Sequence, residues 1–203
     1  MNSNNIDKLA ELFKKFPGIG ERQARRFVYF LLHQNPNYLS ELVSLIQGIK
    51  KSVNQCKSCY VFFQDDDEVK ECAICRDPNT DQATLMIVEK DADYDNIHES
   101  HFYKGKYFIL GGLVPIVEKN TGKLVRINEL LKKIEKEKPR EVVLALSLSP
   151  QGEHTDTYLR QLLSPLSEKL GLKISSLGRG LSTGLELEYS DPETLKNALK
   201  NRS

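Results

Sequence analysis

No stretch of the chain approaches about 18 consecutive apolar residues, so no segment is long enough to cross a bilayer as a helix. The first residues hold no apolar run behind a basic start, the pattern of a secretory leader, and the expected setting is cytoplasmic. A strong net charge is also missing: 29 Lys and Arg stand against 28 Asp and Glu, for +1 overall. That excludes a protein that coats nucleic acid by bulk charge, and any nucleic-acid site must come from local clustering. There are no internal repeats and no low-complexity tracts. Cysteine is absent outside Cys56–Cys75. What remains is a chain of 203 residues, 39% hydrophobic and 28% charged, long enough for one large domain or several small ones.

The first fifty residues read as helical. From Glu21 to Gln34, Ala24, Phe27, Val28 and Leu31 recur at one-face helical spacing. Phe16-Pro17-Gly18-Ile19-Gly20 breaks any helix before them, and Asn35-Pro36 ends the helix that follows. A third helix is expected from Tyr38 to Lys51, with Leu42, Leu45, Ile46 and Ile49 on its apolar face.

After the cysteines the pattern changes. Thr84–Val88, Tyr107–Leu110 (closed by Gly111-Gly112), Glu141–Leu146 and Lys173–Leu177 read as strands. Ile127–Lys138 reads as a charged helix, and Thr155–Leu170 as a mostly helical stretch with a break or fresh start at Pro165. A short final helix opens at Asp191-Pro192, with Asp191 as its cap. Strands alternating with helices predict an α/β domain with a largely parallel sheet. The expected organisation is a helical region at 1–53, a cysteine module at 54–79, the α/β domain at 80–177 and a short strand–helix segment at 178–203.

Cys56-x2-Cys59 and Cys72-x2-Cys75 stand twelve residues apart. Two such knuckles place four thiolates around one tetrahedral Zn²⁺, and disulfides or a redox pair are the alternatives. A segment this short cannot bury enough core to fold unaided, so a metal would supply the folding energy. With sulfur at all four positions a structural ion is expected rather than a catalytic one. His98 and His101 match no ligand spacing with these cysteines and read as surface residues.

Between the first two helices, Gly18 and Gly20 can adopt positive φ. Without Cβ atoms there, the turn and the following helix N-terminus can approach a phosphate closely. Ile19 would plug between the helices. From Lys14 to Arg26, five basic residues (Lys14, Lys15, Arg22, Arg25, Arg26) face Glu21, a local charge of +4. Gly18, Ile19, Gly20, Arg22, Arg25 and Arg26 are therefore the candidate DNA contacts. Such a site grips the backbone and ignores sequence. The plainer reading is an ordinary turn beside a solvated basic helix face.

Glu89 closes the first long strand, and Glu153 follows the third within Ser149-Pro150-Gln151-Gly152-Glu153. Carboxylates at the C-terminal ends of parallel strands lie where α/β sheets place their sites, and a facing pair suggests Mg²⁺ and phosphoryl chemistry. The alternative is two solvated loop glutamates. Asp91, Asp93 and Asp95 read as a polar loop and a helix start. The acidic run Asp65-Asp66-Asp67-Glu68 would repel DNA, meet a basic partner, or simply form a solvated loop tip.

In this order and spacing, the motifs resemble the RecR family of bacterial recombination mediators over nearly the whole chain. Phe16-Pro-Gly-Ile-Gly20 with Ala24-Arg25-Arg26 is similar to that family's helix–hairpin–helix, and Cys56 to Cys75 to its zinc finger. Ile87-Val88-Glu89, Tyr107 to Gly112, Glu141 to Ala145 and Gly152-Glu153-His154-Thr155 resemble its Toprim domain. Gly184 to Tyr189 with Asp191 resembles its C-terminal segment. The resemblance implies a non-enzymatic DNA clamp that works with RecO, and in some bacteria RecF, to load recombinase on gapped DNA. It implies a ring-like homotetramer held by the N-terminal helices and the C-terminal parts, DNA contacts at Arg22 and Arg26, and a partner-binding Toprim face that includes Glu89 and Glu153. Three positions depart from the family pattern: Gln151 stands where an acid is usual, Ser147-Leu148-Ser149 where Asn-Pro-Thr is usual, and Gly184-Leu185 where Gly-Gly is usual. The first weakens any Mg²⁺ site. Two other functions stay open, a Mg²⁺-dependent Toprim nuclease or strand-transfer enzyme, and a zinc-stapled protein-interaction module that does not bind DNA.

Overall fold

Side-chain caps decide where the first helices begin. In the computed structural model, which describes residues 4–65, 69–116, 125–178, 181, 184, 186–190 and 192–200, the Asn4 side chain accepts from the Asp7 N–H at 2.9 Å and starts α1 (Asn5–Phe13). Asn35 does the same for the Tyr38 N–H at 2.8 Å and starts α3 (Pro36–Ser52), with Pro36 in the first turn. Between them α2 (Glu21–Leu32) has Gly20 at its cap and no side-chain cap bond. Helices α1 and α2 meet through Ala10, Ala24 and Val28, with Ile6, Leu9, Phe13 and Ile19 packed around them. The periodicity that predicts α3 is present, yet that helix has no buried residue, and Leu45, Ile46 and Ile49 are exposed.

The chain divides into two compact units, one up to Val53 and one from Asn54 on. In the second, β1 (Val53–Gln55) pairs with β2 (Phe62–Gln64) in a two-stranded sheet, and α4 (Ala73–Arg76) follows. The main sheet holds β3 (Asp81–Val88), β4 (Gly105–Ile109), β5 (Glu141–Ala145) and β6 (Lys173–Ser176) in the order β4-β3-β5-β6. All three pairings are parallel, with Val88 opposite both Ile109 and Ala145. Three helices complete the layers: α5 (Asp91–Glu99), α6 (Ile127–Glu137) and α7 (Pro150–Leu170).

Strand alternation sorts the side chains to two faces. Leu85, Ile87, Phe108, Val142 and Leu144 pack against Ile127, Leu130 and Ile134 of α6 and Leu159 and Leu163 of α7. Met86, Val88, Tyr107, Ile109 and Ala145 pack against Tyr94 of α5 and against Cys56, Cys59, Val61 and Cys72. The cysteine segment is therefore part of a shared core on one face of the sheet, rather than an isolated fold.

Two sequence expectations change. Helix α7 starts at Pro150 and runs unbroken through Pro165. Pro165 and Gln161, whose carbonyl loses a helical partner, are both exposed, so water can satisfy the freed oxygen. The strand expected near the C-terminus is a single 3-10 turn, Leu187–Tyr189, closed by the Tyr189 N–H on the Glu186 carbonyl at 3.1 Å. The final helix, α8 (Pro192–Lys200), forms as expected, and its expected cap Asp191 lies outside the described residues.

Candidate nucleic-acid interface and metal centre

The four cysteine sulfurs gather into one site. All lie within 4.8 Å of one another, and Cys59 Sγ is 3.5 Å from Cys72 Sγ. Each knuckle is shaped by backbone bonds. The Cys59 N–H reaches Cys56 Sγ at 3.5 Å, the Tyr60 N–H donates to the Cys56 carbonyl at 3.0 Å, and the Arg76 N–H to the Cys72 carbonyl at 3.1 Å. Tyr60, at φ 67°, turns the chain back after the first pair. A tetrahedral cation with sulfur at about 2.3 Å holds its sulfurs about 3.8 Å apart, a spacing this cluster already approaches. Hydrogen bonds from Cys59, Cys72 and Cys75 hold the Cys56 thiol below its ordinary value, and the Cys56–Cys59 bond holds Cys59 above its own. Metal binding at such a cluster displaces the thiol protons. The four cysteines are thus a site that can hold a metal ion.

The cluster also seals the sheet. Strand β4 is an edge strand, and the Ile109 N–H donates to the Cys59 carbonyl at 2.9 Å while the Ile109 carbonyl accepts from the Arg126 guanidinium at 2.9 Å. That guanidinium lies 4.6 Å from the centre of the Tyr60 ring. An exposed edge would invite strand addition, and at Ile109 both backbone groups are taken.

In the first unit, the Ile19 N–H closes a turn onto the Phe16 carbonyl at 3.1 Å, with Pro17 and Gly18 at its centre. Gly18 has φ +76°, as a Pro-Gly turn of type II demands. Gly20 does not use that freedom. It is extended, at φ −83° and ψ 173°, because it caps α2 and its carbonyl accepts from the Ala24 N–H. A Cβ built on either glycine meets nothing within 4 Å, so the surface beyond them is open. The first amides of α2 have no side-chain cap, which leaves them as available donors at the helix N-terminus.

The three arginines separate. Arg25 lies 3.2 Å from Asp7 and 3.7 Å from Glu21, joining α1 to α2. Arg26 makes only a long 3.4 Å bond to Gln23, and Arg22 and Arg26 are exposed with no ion pair among the described residues. Lys14 is paired with Glu11 at 2.9 Å.

At the carboxylate end of the sheet, β3 and β5 are neighbours whose connections leave in opposite directions, β3 to β4 and β5 to β6. This is a switch point, the usual place for a binding crevice. Glu89 follows β3 and is half-buried, while Glu153 lies exposed in the first turn of α7. Glu153, Asp156, Ser147 and Ser176 line a cavity of about 220 Å³, to which Glu89 does not contribute. Among the described residues the cysteines form the one cluster of three or more potential metal ligands, so Glu89, Glu153, Asp91, Asp93 and Asp95 do not gather into a group of three or more. Asp93 instead accepts from the Lys90 N–H at 3.3 Å and caps α5. Gln151 donates to the Leu113 carbonyl at 3.4 Å, a bond that an ionised carboxylate cannot make. Gly152 is sterically required, since a Cβ there would come within 1.9 Å of the Ser147 carbonyl oxygen. His98 and His101 are exposed and apart from the cysteines, as expected. Of the acidic run, Asp66, Asp67 and Glu68 lie outside the described residues, and Asp65 is bonded to Arg76 at 2.6 Å.

Sequence reasoning missed several polar ties. Thr155, fully buried, accepts from the Val114 N–H at 2.9 Å and donates to the Gln151 carbonyl at 2.7 Å. Arg160 joins Asp156, the Ile174 carbonyl and Ser176, fastening α7 to β6. The Asp156–Arg160 pair has the i,i+4 spacing of a helical ion pair, which is its one sequence signal.

A parallel α/β sheet with this strand order, a switch-point crevice and a four-cysteine module on one face define a Toprim-type protein, and residues 83–178 match the Toprim domain model. Residues 180–203 match the model of the RecR C-terminal region. Similarity to known proteins spans nearly the whole chain. Recombination protein RecR of Anaeromyxobacter sp. (strain Fw109-5) is 34% identical over 197 residues, covering 97% of this chain and 96% of that protein. The RecR proteins of Chloroflexus aggregans (34% identical, 97% and 92% covered) and Lacticaseibacillus casei (32%, 98% and 96%) agree. The chain belongs to the RecR family of recombination proteins.

Proposed function

We propose that this recombination protein is a DNA-binding mediator of recombinational repair, a clamp and adaptor rather than an enzyme. The observation that carries this reading is the hairpin: an open Gly18 turn, an uncapped α2 N-terminus, and Arg22 and Arg26 exposed without ion pairs among the described residues. Backbone amides and two exposed guanidiniums without ion pairs among the described residues contact phosphates at any sequence. Ile19 keys the hairpin into the small core, and Arg25 holds α1 to α2.

In this reading the regions divide the work. Residues 1–53 bind DNA. Residues 54–79 hold one structural Zn²⁺ per chain, a cation suited to four thiolates at the observed spacing. Residues 80–177 present Glu89 and Glu153 to a protein partner, RecO and in some bacteria RecF, so that recombinase is loaded at gapped DNA in the bacterial cytoplasm. Residues 178–203 and the N-terminal helices join copies of the chain into a ring-like tetramer. The apolar face of α3 supports self-association, because Leu45, Ile46 and Ile49 are exposed among the described residues and would gain from a cover.

The test is one titration of zinc-loaded protein onto labelled duplex, with and without Mg²⁺. A salt-sensitive shift of intact DNA is the expected result. Mg²⁺-dependent cutting that disappears in Glu89→Gln would make the protein an enzyme instead. Absence of any shift at low salt would favour a protein-interaction module without DNA binding.

A further inference from the structure

We infer that a second phosphate-binding site lies in the α/β unit, in the cleft between the first cysteine knuckle and α6. The cleft encloses about 300 Å³. Lys57, Ser58 and Tyr60 of the knuckle form one wall, and Lys132, Lys133 and Lys136 of α6 form the other. Its carboxylates are Glu71, Glu129 and Glu137, so four lysines face three glutamates. Lys106 of β4 also reaches Glu137, at 3.6 Å, which brings the balance to five cations against three anions. In a chain of net charge +1 overall, this excess of two is a local construction.

The excess is partly buried. Lys133 is only 6% exposed, and its ammonium donates to Ser58 Oγ at 2.7 Å and to Glu137 Oε1 at 2.8 Å. An ammonium has three donors, and the third finds no partner among the described residues. Glu137 is shared by Lys133 and Lys106, which is itself only 9% exposed. One carboxylate between two shielded ammoniums leaves a positive charge uncompensated where burial makes that costly. At the mouth, Lys57, Lys132 and Lys136 are exposed and make no ion pair among the described residues. The Tyr60 wall is rigid, held edge-on to Phe108 at 5.5 Å and capped by Arg126.

Several compact ammoniums converging from two walls suit a hydrated, multiply charged oxyanion, and a phosphate group is that ligand. The phosphate comes either from a nucleic-acid strand or from a free phosphate. The inference does not rest on the hairpin reading, because inorganic phosphate probes the cleft alone.

The test compares metal-loaded, full-length protein with the variant Lys57→Gln, Lys132→Gln, Lys136→Gln, which leaves the Lys133–Ser58–Glu137 network intact. Lys132→Glu alone, on the exposed face of α6, is the second variant. Equilibrium dialysis of labelled inorganic phosphate should show binding that falls at least about tenfold in the triple variant, a loss of two to three ion contacts of modest strength. Labelled single-stranded DNA, measured in an Arg22→Ala, Arg26→Ala background, identifies the source. A fall in the magnitude of the salt slope of about 2, near 0.7 per lost contact, assigns the site to a strand. Lost phosphate binding with unchanged DNA affinity assigns it to a free phosphate. If neither variant changes phosphate or DNA binding, the site does not exist.

Discussion

The two units differ in how they treat apolar side chains. Among the described residues, the first unit buries Ala10, Ala24 and Val28 and leaves Tyr29, Phe30, Leu45, Ile46 and Ile49 in the open. The second buries fourteen residues on one face of its sheet and ten on the other. A three-residue core is small for a unit of this length, while a sheet covered on both faces supports itself. The lesson is that the second unit carries stability within the chain, whereas the first places its apolar surface and its free cations where other molecules can meet them.

Removing the metal should sharpen this contrast most. Apparent binding free energies of structural thiolate sites are on the order of 10 kcal/mol. Chelation, or Cys59→Ser, is therefore expected to disrupt the second unit and spare α1 and α2. Hydrogen exchange at the Ile109 amide, which donates to the Cys59 carbonyl, is the readout, and retained protection after verified metal loss would contradict the account. Next comes Leu130→Ala, fully buried between α6 and the sheet, with an expected loss of about 2–5 kcal/mol in denaturant unfolding. The matched truncation in the first unit, Ile46→Ala, should change folding stability by no more than about 0.5 kcal/mol under dilute conditions. Equal losses at the two positions would erase the distinction.

Smaller effects follow. Thr155→Val removes a donor and an acceptor inside the second unit and leaves the Val114 N–H without its partner. A loss of about 1–3 kcal/mol in thermal or denaturant melts is expected. Arg25→Ala breaks exposed pairs to Asp7 and Glu21, and its effect should stay below about 1 kcal/mol. A larger loss there would show that the α1–α2 pair depends on charge more than on its small core.

Much of this architecture is legible in the sequence, for physical reasons. The cysteine spacing implied one cluster because four thiolates on two knuckles have few other arrangements. The β-branched runs gave the strands, and their alternation with helices gave the parallel sheet. Gly18 is legible as a turn residue, while the sequence does not say that Gly20, as the cap of α2, takes extended backbone instead. Pro165 reads as a break or a fresh start because periodicity cannot reveal that its face is solvated. The tie between Lys133 and Ser58, 75 positions apart in the chain, leaves no local trace, and neither does the packing of the cysteine module onto β4. The strand pattern puts Glu89 and Glu153 at the C-terminal edge of the sheet, but it does not reveal that Glu153 shares its cavity with Asp156, Ser147 and Ser176.

The central claim is that the hairpin grips DNA by its backbone. The most direct measurement is the salt dependence of duplex affinity for the wild-type protein and for Arg22→Ala, Arg26→Ala, on several unrelated sequences. The account predicts weaker binding on every sequence and a salt slope reduced by about 1 for each arginine removed. Affinity and slope equal to those of the wild-type protein would contradict it and move the DNA contact elsewhere in the chain.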